Sequence, residues 1–358
     1  MSFEPKARIE SLQKEVDAAL ANFIADEARY LGQIGSELDP VATALTKFLL
    51  DGGKRIRPLF ALIGYLGTGE ELDAHSITAL SSLELVHVCA LIHDDVMDGS
   101  DTRRGAPSIH KLFEQIHRNE KLTGSADQYG LASAILIGDL ALILSAKMLH
   151  DSQAPAKSIL RSLSVYDEMR IELMAGQFLD IHEQALASES LARSLKVARY
   201  KSAKYSIERP LHFGATLASE NSEKLVETYS AYGLPMGEAF QMRDDVLGVF
   251  GNPVATGKPA GDDLREGKRT VLMATTMARV TVEQRQTMKE LFGKSDLSAT
   301  EIETIRSIIT DTGALAETEM RIENLTKQAL AAIKNGAINA DAQSMLVIMA
   351  SLVTQRTV

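Results

Sequence analysis

Helical periodicity runs through almost the whole chain, and no alternating strand pattern persists in any segment. Residues 7–35 form a mixed-charge amphipathic stretch with Ile9, Leu12, Val16 and Leu20 on one face. Helical patterns then occupy about 55–66, 74–98, 109–121, 127–150, 156–187, 190–218, 222–248, 268–293, 298–311, 313–334 and 338–355. Turn signals separate them at Asp51-Gly52-Gly53, Gly67-Thr68-Gly69, Gly251-Asn252-Pro253 and Asn335-Gly336. Abundant Ala, Leu, Glu and Met, few aromatic residues and no Trp also favour helix over strand. Connections are short, none resembles an interdomain linker, and no fixed-period repeat is present. The expectation is all-α: one helical domain over residues 1–358.

The net charge of −10, with no sustained basic run, argues against a DNA or RNA partner. The lone Cys89 excludes an intrachain disulfide and fits a reducing compartment. Near the N-terminus, Glu4, Lys6, Arg8 and Glu10 mix both signs of charge, unlike a signal peptide. The most apolar stretch, Leu131 to Ala146, is interrupted by Asp139 and reads as a buried core helix, too short to span a bilayer. A soluble cytoplasmic protein with no transmembrane segment is expected.

Acidic residues concentrate at two points about 150 residues apart, HDDVMDGSDTRRG (93–105) and QMRDDVLGVFG (241–251). Asp94 and Asp98 are four residues apart near a helix end, so the chain turns about 400° and climbs about 6 Å between them. Both carboxylates then share a face, while Asp95 points about 100° away as a supporting partner. Stacked like charges repel unless a cation lies between them, and hard oxygen donors with open positions suit Mg²⁺. In the second cluster, Asp244 and Asp245 follow Gln241, and Gly248 stands where a third carboxylate would complete the same spacing. Each cluster alone also reads as a solvated helix end. Two of them, each before a glycine turn, favour metal.

Basic residues supply the complement. Gly52-Gly53-Lys54-Arg55-Ile56-Arg57-Pro58 opens a helix whose amides, with Lys54 and Arg57, suit a diphosphate. It is no P-loop, because the glycine spacing and the preceding strand are missing. Arg103 and Arg104 follow the first acidic cluster, and Lys258 and Lys268 follow the second. His87 precedes Asp94 by seven residues and lies within about 20° of its helical face, suited to donate to phosphate oxygens. The combined reading is an enzyme that handles a metal-bound diphosphate.

In this order the motifs resemble those of the head-to-tail isoprenyl diphosphate synthases, or polyprenyl synthetases. GGKRIRP (52–58), LELVHVCALIHDDVMDGSDTRRG (83–105), KSA (201–203), QMRDD (241–245) and GKPAGDDLREGKRT (257–270) all match, within about residues 40–280. The tail, 281–358, carries no motif that can be placed. The resemblance implies an all-α bundle around a deep central cavity, usually in a homodimer. It implies Asp94, Asp98 and Asp244 as ligands for about three Mg²⁺, with Mn²⁺ as a substitute. Arg103, Lys201, Gln241 and Lys258 match contacts to the allylic diphosphate. Lys54, Arg57, His87 and Arg104 match a metal-free pocket for isopentenyl diphosphate. Lys201, Gln241 and Arg103 are the implied catalytic residues, and Lys268 is a further substrate contact. Ser202 replaces the family's usual Thr and keeps the hydroxyl. Asp245 and Asp263 join Asp95 as supporting carboxylates, Asp262 standing at a common Gly.

Product length is expected to depend on what blocks the cavity below the aspartates. Ala90 is one turn beneath Asp94 on the same face, Cys89 is beside it, and Val86 lies a further turn down. One turn is about 5.4 Å, close to one isoprene unit. Small residues here suggest a deep well and geranylgeranyl diphosphate as product, made from dimethylallyl, geranyl or farnesyl diphosphate. Farnesyl or longer products are the alternatives, and small residues at a helix interface also simply permit close packing. Two rivals of another class are a class I terpene cyclase and a non-catalytic subunit of a heteromeric synthase. A helical scaffold is the third, and it leaves the ordered motifs unexplained.

Overall fold

The computed structural model describes residues 3–251, 261–334 and 336–355, and these are almost wholly helical. The first helix, α1 (Pro5–Ile34), starts with proline at its first position, where the missing N–H costs nothing. It buries the Ile9, Leu12, Val16 and Leu20 face. Then follow α2 (Asp39–Leu50), α3 (Ile56–Leu66), α4 (Ala74–Ser81), α5 (Leu83–Met97), α6 (Ile109–Asn119), α7 (Ala126–His150) and α8 (Ala156–Ala185). Next come α9 (Leu191–Val197), a π-helix (Ala198–Glu208), α10 (Arg209–Ala218) and α11 (Glu223–Phe250). The chain finishes with α12 (Asp262–Glu266), α13 (Val271–Met277), α14 (Val282–Leu291), α15 (Ala299–Asp311), α16 (Ala314–Lys334) and α17 (Ala340–Thr354).

Several boundaries differ from the periodicity. The 74–98 pattern is broken at Ser82 into α4 and α5. The 190–218 pattern divides into α9, the π-helix and α10, and the 268–293 pattern into α13 and α14. At α14 a reciprocal cap between Thr281 and Gln284 starts a new helix. Neither α2 nor the short α12 was anticipated. A two-residue antiparallel ladder, β1 (Thr102–Arg103) on β2 (Ala106–Pro107), is also new, and it turns at Arg104 and Gly105, both with positive φ.

Close contacts divide the chain into two compact units, Met1–Leu163 with Phe213–Glu220, and Ser164–His212 with Asn221–Val358. In the first, α1 packs on α2, α3 and α4, and α7 packs on α4, α5 and α6. In the second, α11 is the hub, contacting the π-helix, α12, α13, α16 and α17. Val246, Val249, Leu264, Leu272, Ile305 and Ile309 form part of its core.

The apolar stretch needs a correction. The helix carrying Leu131 to Ala146 extends at both ends to 25 residues, and by length and composition it is long enough to cross a membrane. So is the run Ala74–Met97, which is 67% buried over its most apolar window against 39% for α7. One side of α7 packs inward through Ala134, Ile137, Ala141 and Leu144, while Ile135, Leu136 and Ile143 are exposed.

Candidate active site

In the first unit, the glycine pair before α3 sets a cationic cluster. Gly52 and Gly53 have φ of 79° and 110°, a region costly for other residues, and Arg55 follows in the left-handed conformation. The Arg55 side chain is buried and anchored, with Nη1 2.9 Å from Glu84 Oε1 on α5 and Nε 2.7 Å from Asp17 Oδ1 on α1. These ion pairs hold the loop, leaving Lys54 exposed beside it and Arg57 on the first turn of α3. Arg104 reaches back to the same loop, donating to the carbonyl of Asp51 at 2.9 Å. Burial, then the guanidiniums of Arg57, Arg104, Arg103 and Arg55, hold the His87 imidazole well below its usual range. With Arg55 and Arg103 held by carboxylates, the guanidiniums of Arg57 and Arg104 beside this imidazole suit a polyanion.

The first acidic cluster ends α5. Asp98 caps the helix, its N–H donating to the Asp94 carbonyl at 2.8 Å. Asp95 is fully buried and accepts from Arg103 Nε at 2.9 Å, which ties the β1–β2 hairpin to α5. Asp94 and Asp98 remain partly exposed. Below them Val86 and Cys89 are fully buried, whereas Ala90 is half-buried on the Asp94 face. Cys89 Sγ lies 3.7 Å from His93 Nδ1, and burial, then Asp139, pushes its thiol up to about 12.

In the second unit, three glycines bring backbones close around the π-helix, a helix type often found at functional sites. A Cβ on Gly176 of α8 would stand 2.2 Å from the Lys201 backbone nitrogen. Cβ atoms on Gly233 and Gly237 of α11 would stand 2.7 Å from Glu208 Cα and 2.5 Å from Ala203 Cα. Lys201 Nζ pairs with Asp180 Oδ2 of α8 at 2.6 Å, and the half-buried Ser202 follows it. Sequence reasoning missed Asp180. Its signal was a glycine inside an otherwise unbroken helical pattern, four residues before a carboxylate.

On α11, Gln241 Nε2 donates to Asp245 Oδ1 at 2.7 Å. Burial raises the Asp245 carboxyl to about 8; the Gln241 hydrogen bond opposes this, while Asp263, Asp244 and Asp180 add to it. Asp244 is partly exposed beside it. The arginine between them in sequence, Arg243, points elsewhere, donating to Glu319 of α16 at 2.7 Å and to the Thr354 carbonyl of α17 at 2.8 Å. The motif-free tail thus braces α11. Lys268 Nζ lies 3.7 Å from Asp263 Oδ1 and 2.7 Å from Glu266 Oε2. Lys258 lies outside the described residues.

Among the described residues no group of three His, Cys, Asp or Glu side chains makes a closed metal cage. Asp94 and Asp98 offer oxygen donors only, and a carboxylate pair of that kind leaves room for waters and phosphate oxygens, as Mg²⁺ requires. The donor chemistry fits magnesium.

The architecture is the all-α isoprenoid synthase fold. The polyprenyl synthetase profile matches residues 39–309. Geranylfarnesyl diphosphate synthase of Aeropyrum pernix is 32% identical over 324 residues, covering 89% of this chain and 95% of that one. Geranylgeranyl diphosphate synthase of Methanosarcina mazei is 29% identical over 75% of this chain and 76% of its own. The crystal structure of geranylgeranyl pyrophosphate synthase from Corynebacterium glutamicum, complexed with isoprenyl diphosphate and magnesium, matches with a TM-score of 0.94. That match has 39% identity and covers 98% of this chain and 99% of the other. The chain belongs to the polyprenyl synthetase family. It is a prenyltransferase, in a family that depends on magnesium.

Proposed function

We propose that this enzyme condenses isopentenyl diphosphate with dimethylallyl, geranyl or farnesyl diphosphate to make geranylgeranyl diphosphate. The observation that carries the reading is the pairing, in one unit, of the Asp94 and Asp98 carboxylates with the cations around His87. Asp94, Asp98 and Asp244 would hold about three Mg²⁺, with Asp95, Asp245 and Asp263 in support. When bound, Mg²⁺ supplies Lewis-acid neutralisation of phosphate oxygens.

The protein's own groups do the rest. Lys54, Arg57, His87 and Arg104 bind the diphosphate of isopentenyl diphosphate. Arg103, Lys201, Ser202, Lys258 and Lys268 are the residues assigned to the allylic diphosphate in this reading, their cations stabilising the charge of the leaving group. The carbon–oxygen bond breaks with its electron pair going to diphosphate. The isopentenyl double bond supplies the electrons of the new carbon–carbon bond, and a proton is then lost, to the released diphosphate. Lys201 and Gln241 shape the field near the allylic cation.

Ala90, small and half-buried one turn below Asp94, supports the C20 product, as does the similarity to the C. glutamicum enzyme. The exposed stripe of Ile135, Leu136 and Ile143 on α7 supports a homodimer, and we place the enzyme in the cytoplasm. The test is incubation with labelled isopentenyl diphosphate, Mg²⁺ and each of the C5, C10 and C15 primers, followed by sizing of the products. Cyclisation of the allylic substrate without uptake of label supports the cyclase rival. Inactivity of the purified protein with both substrates supports the subunit rival.

A further inference from the structure

The polyprenyl synthetase profile begins at residue 39, yet α1, which precedes it, grips the loop that carries Lys54. Arg55 is the pivot. Its carbonyl accepts the first bond of α3, from the Leu59 N–H at 2.9 Å, so its backbone sets how the chain enters that helix. That backbone is left-handed, with φ 50° and ψ 34°, a region that residues other than glycine seldom hold unaided. What fixes it is the far end of the side chain. The guanidinium is 2% exposed, with Nη1 2.9 Å from Glu84 Oε1 of α5 and Nε 2.7 Å from Asp17 Oδ1 of α1. Burial disfavours this cation, but Glu84 and Asp17 more than offset that and raise its pKa. One turn before Asp17 on α1, Gln13 Nε2 donates to the Gly53 carbonyl at 3.4 Å. The helix that presents both groups is itself fixed, because Leu12, Val16 and Leu20 on its inner face are fully buried. Lys54 lies immediately before the pivot, and Arg57 lies two residues after it on the first turn of α3.

We propose that Asp17 is a positioning residue for isopentenyl diphosphate: its carboxylate holds Arg55, and through the Arg55 backbone it sets where Lys54 and Arg57 meet the diphosphate. The proposal rests on the prenyltransferase reading, in which those two cations bind that substrate. Asp17 acts through Arg55 and touches no substrate, so its effect is confined to the isopentenyl side. Glu84 holds a different nitrogen of the guanidinium, and removing Asp17 therefore leaves Nε without its partner in a buried position.

The parent is compared with Asp17→Asn, Asp17→Ala, Asp17→Glu and, as a control on the same helix, Leu20→Ala. Each is assayed for kcat and for the KM of each substrate. Calorimetry with isopentenyl diphosphate alone, without primer, gives a readout without turnover. Asp17→Asn and Asp17→Ala should raise the isopentenyl KM and dissociation constant about tenfold, with kcat and the allylic KM within about twofold of the parent. Asp17→Glu keeps the charge and should recover part of the loss. Leu20→Ala leaves a cavity in the core face of α1, so it should lower the melting temperature by several degrees with the isopentenyl KM unchanged. Asp17 is half exposed and Asp17→Asn keeps its volume, so that variant retains the fold. Parent-like isopentenyl affinity in Asp17→Asn and Asp17→Ala overturns the proposal, as does an Asp17→Glu variant no better than Asp17→Ala. An equal rise in both KM values, or a rise in Leu20→Ala as large as in Asp17→Ala, also overturns it, by marking α1 as a structural support only. If the parent takes up no label with any primer, the prenyltransferase reading fails and this proposal with it. An active parent beside variants that match it sinks this proposal alone.

Discussion

Lys201 and Asp180 form an ion pair of 2.6 Å between the π-helix and α8, one turn along α8 from the glycine that lets the two backbones approach. A lysine ammonium is a compact charge on a flexible stem, and a fixed carboxylate partner restricts where it points. Asp180→Asn keeps the shape and removes the charge. The expected result is a loss of about tenfold or more in kcat, with little change in melting temperature. Lys201→Ala should cost at least as much, and the double variant should be no worse than Lys201→Ala alone. Additive losses in steady-state assays would show that the two residues act separately.

Gly176 itself is open to a stability test. Adding one methyl group places carbon 2.2 Å from the Lys201 nitrogen, which is main chain and has no rotamer by which to retreat. Gly176→Ala should destabilise the protein by about 1–3 kcal/mol despite its better helix propensity. Urea denaturation monitored by circular dichroism measures this. A stabilised variant would mean that α8 and the π-helix separate at no cost.

His212 gives stability a defined pH dependence. It is buried, with Nε2 3.0 Å from Ser230 Oγ; burial, then the Arg209 guanidinium, pushes its pKa down to about 4. The unfolded chain binds this proton near pH 6.5, so between about 4 and 6.5 the unfolded state holds more protons than the native state. Stability from this group is present above pH 6.5 and is lost as pH falls toward 4, by up to about 3 kcal/mol. His212→Gln retains a hydrogen-bonding group without the titration. Melting temperatures at pH 4.5 and 7.5 should differ less in the variant than in the parent, which cancels oppositely signed contributions from buried carboxyls such as Glu208.

How much of this was legible in the sequence depends on whether the cause was local. Long amphipathic helices such as α1 and α16 declare themselves because burial of one face repeats every turn. The break at Ser82 and the π-helix inside 190–218 do not, because packing against neighbours decides them. Among candidate site residues, the four-residue spacing of Asp94 and Asp98 was enough to put both at the end of one helix, α5. Asp180 was not readable, because its significance lies in a lysine 21 residues away that only the fold delivers.

Product length separates two neighbours that look equivalent in sequence. Cys89 is fully buried, its thiol beside His93, and His93 is itself packed so closely on α7 that a Cβ on Gly138 would meet its Nε2 at 2.2 Å. Phenylalanine at 89 has no room there, and overpacking of this kind costs about 1–3 kcal/mol or more. Ala90 is half-buried on the face that carries Asp94 one turn above, so an aromatic ring at 90 displaces less of the core than one at the fully buried 89. Ala90→Phe should therefore shift the product toward C15 with a melting temperature near that of the parent. Cys89→Phe should lower the melting temperature by several degrees, and any shortening it produces should come with lost activity. Sizing of labelled products beside a thermal melt distinguishes the two, and an unshortened product from Ala90→Phe would move the chain-length floor away from α5.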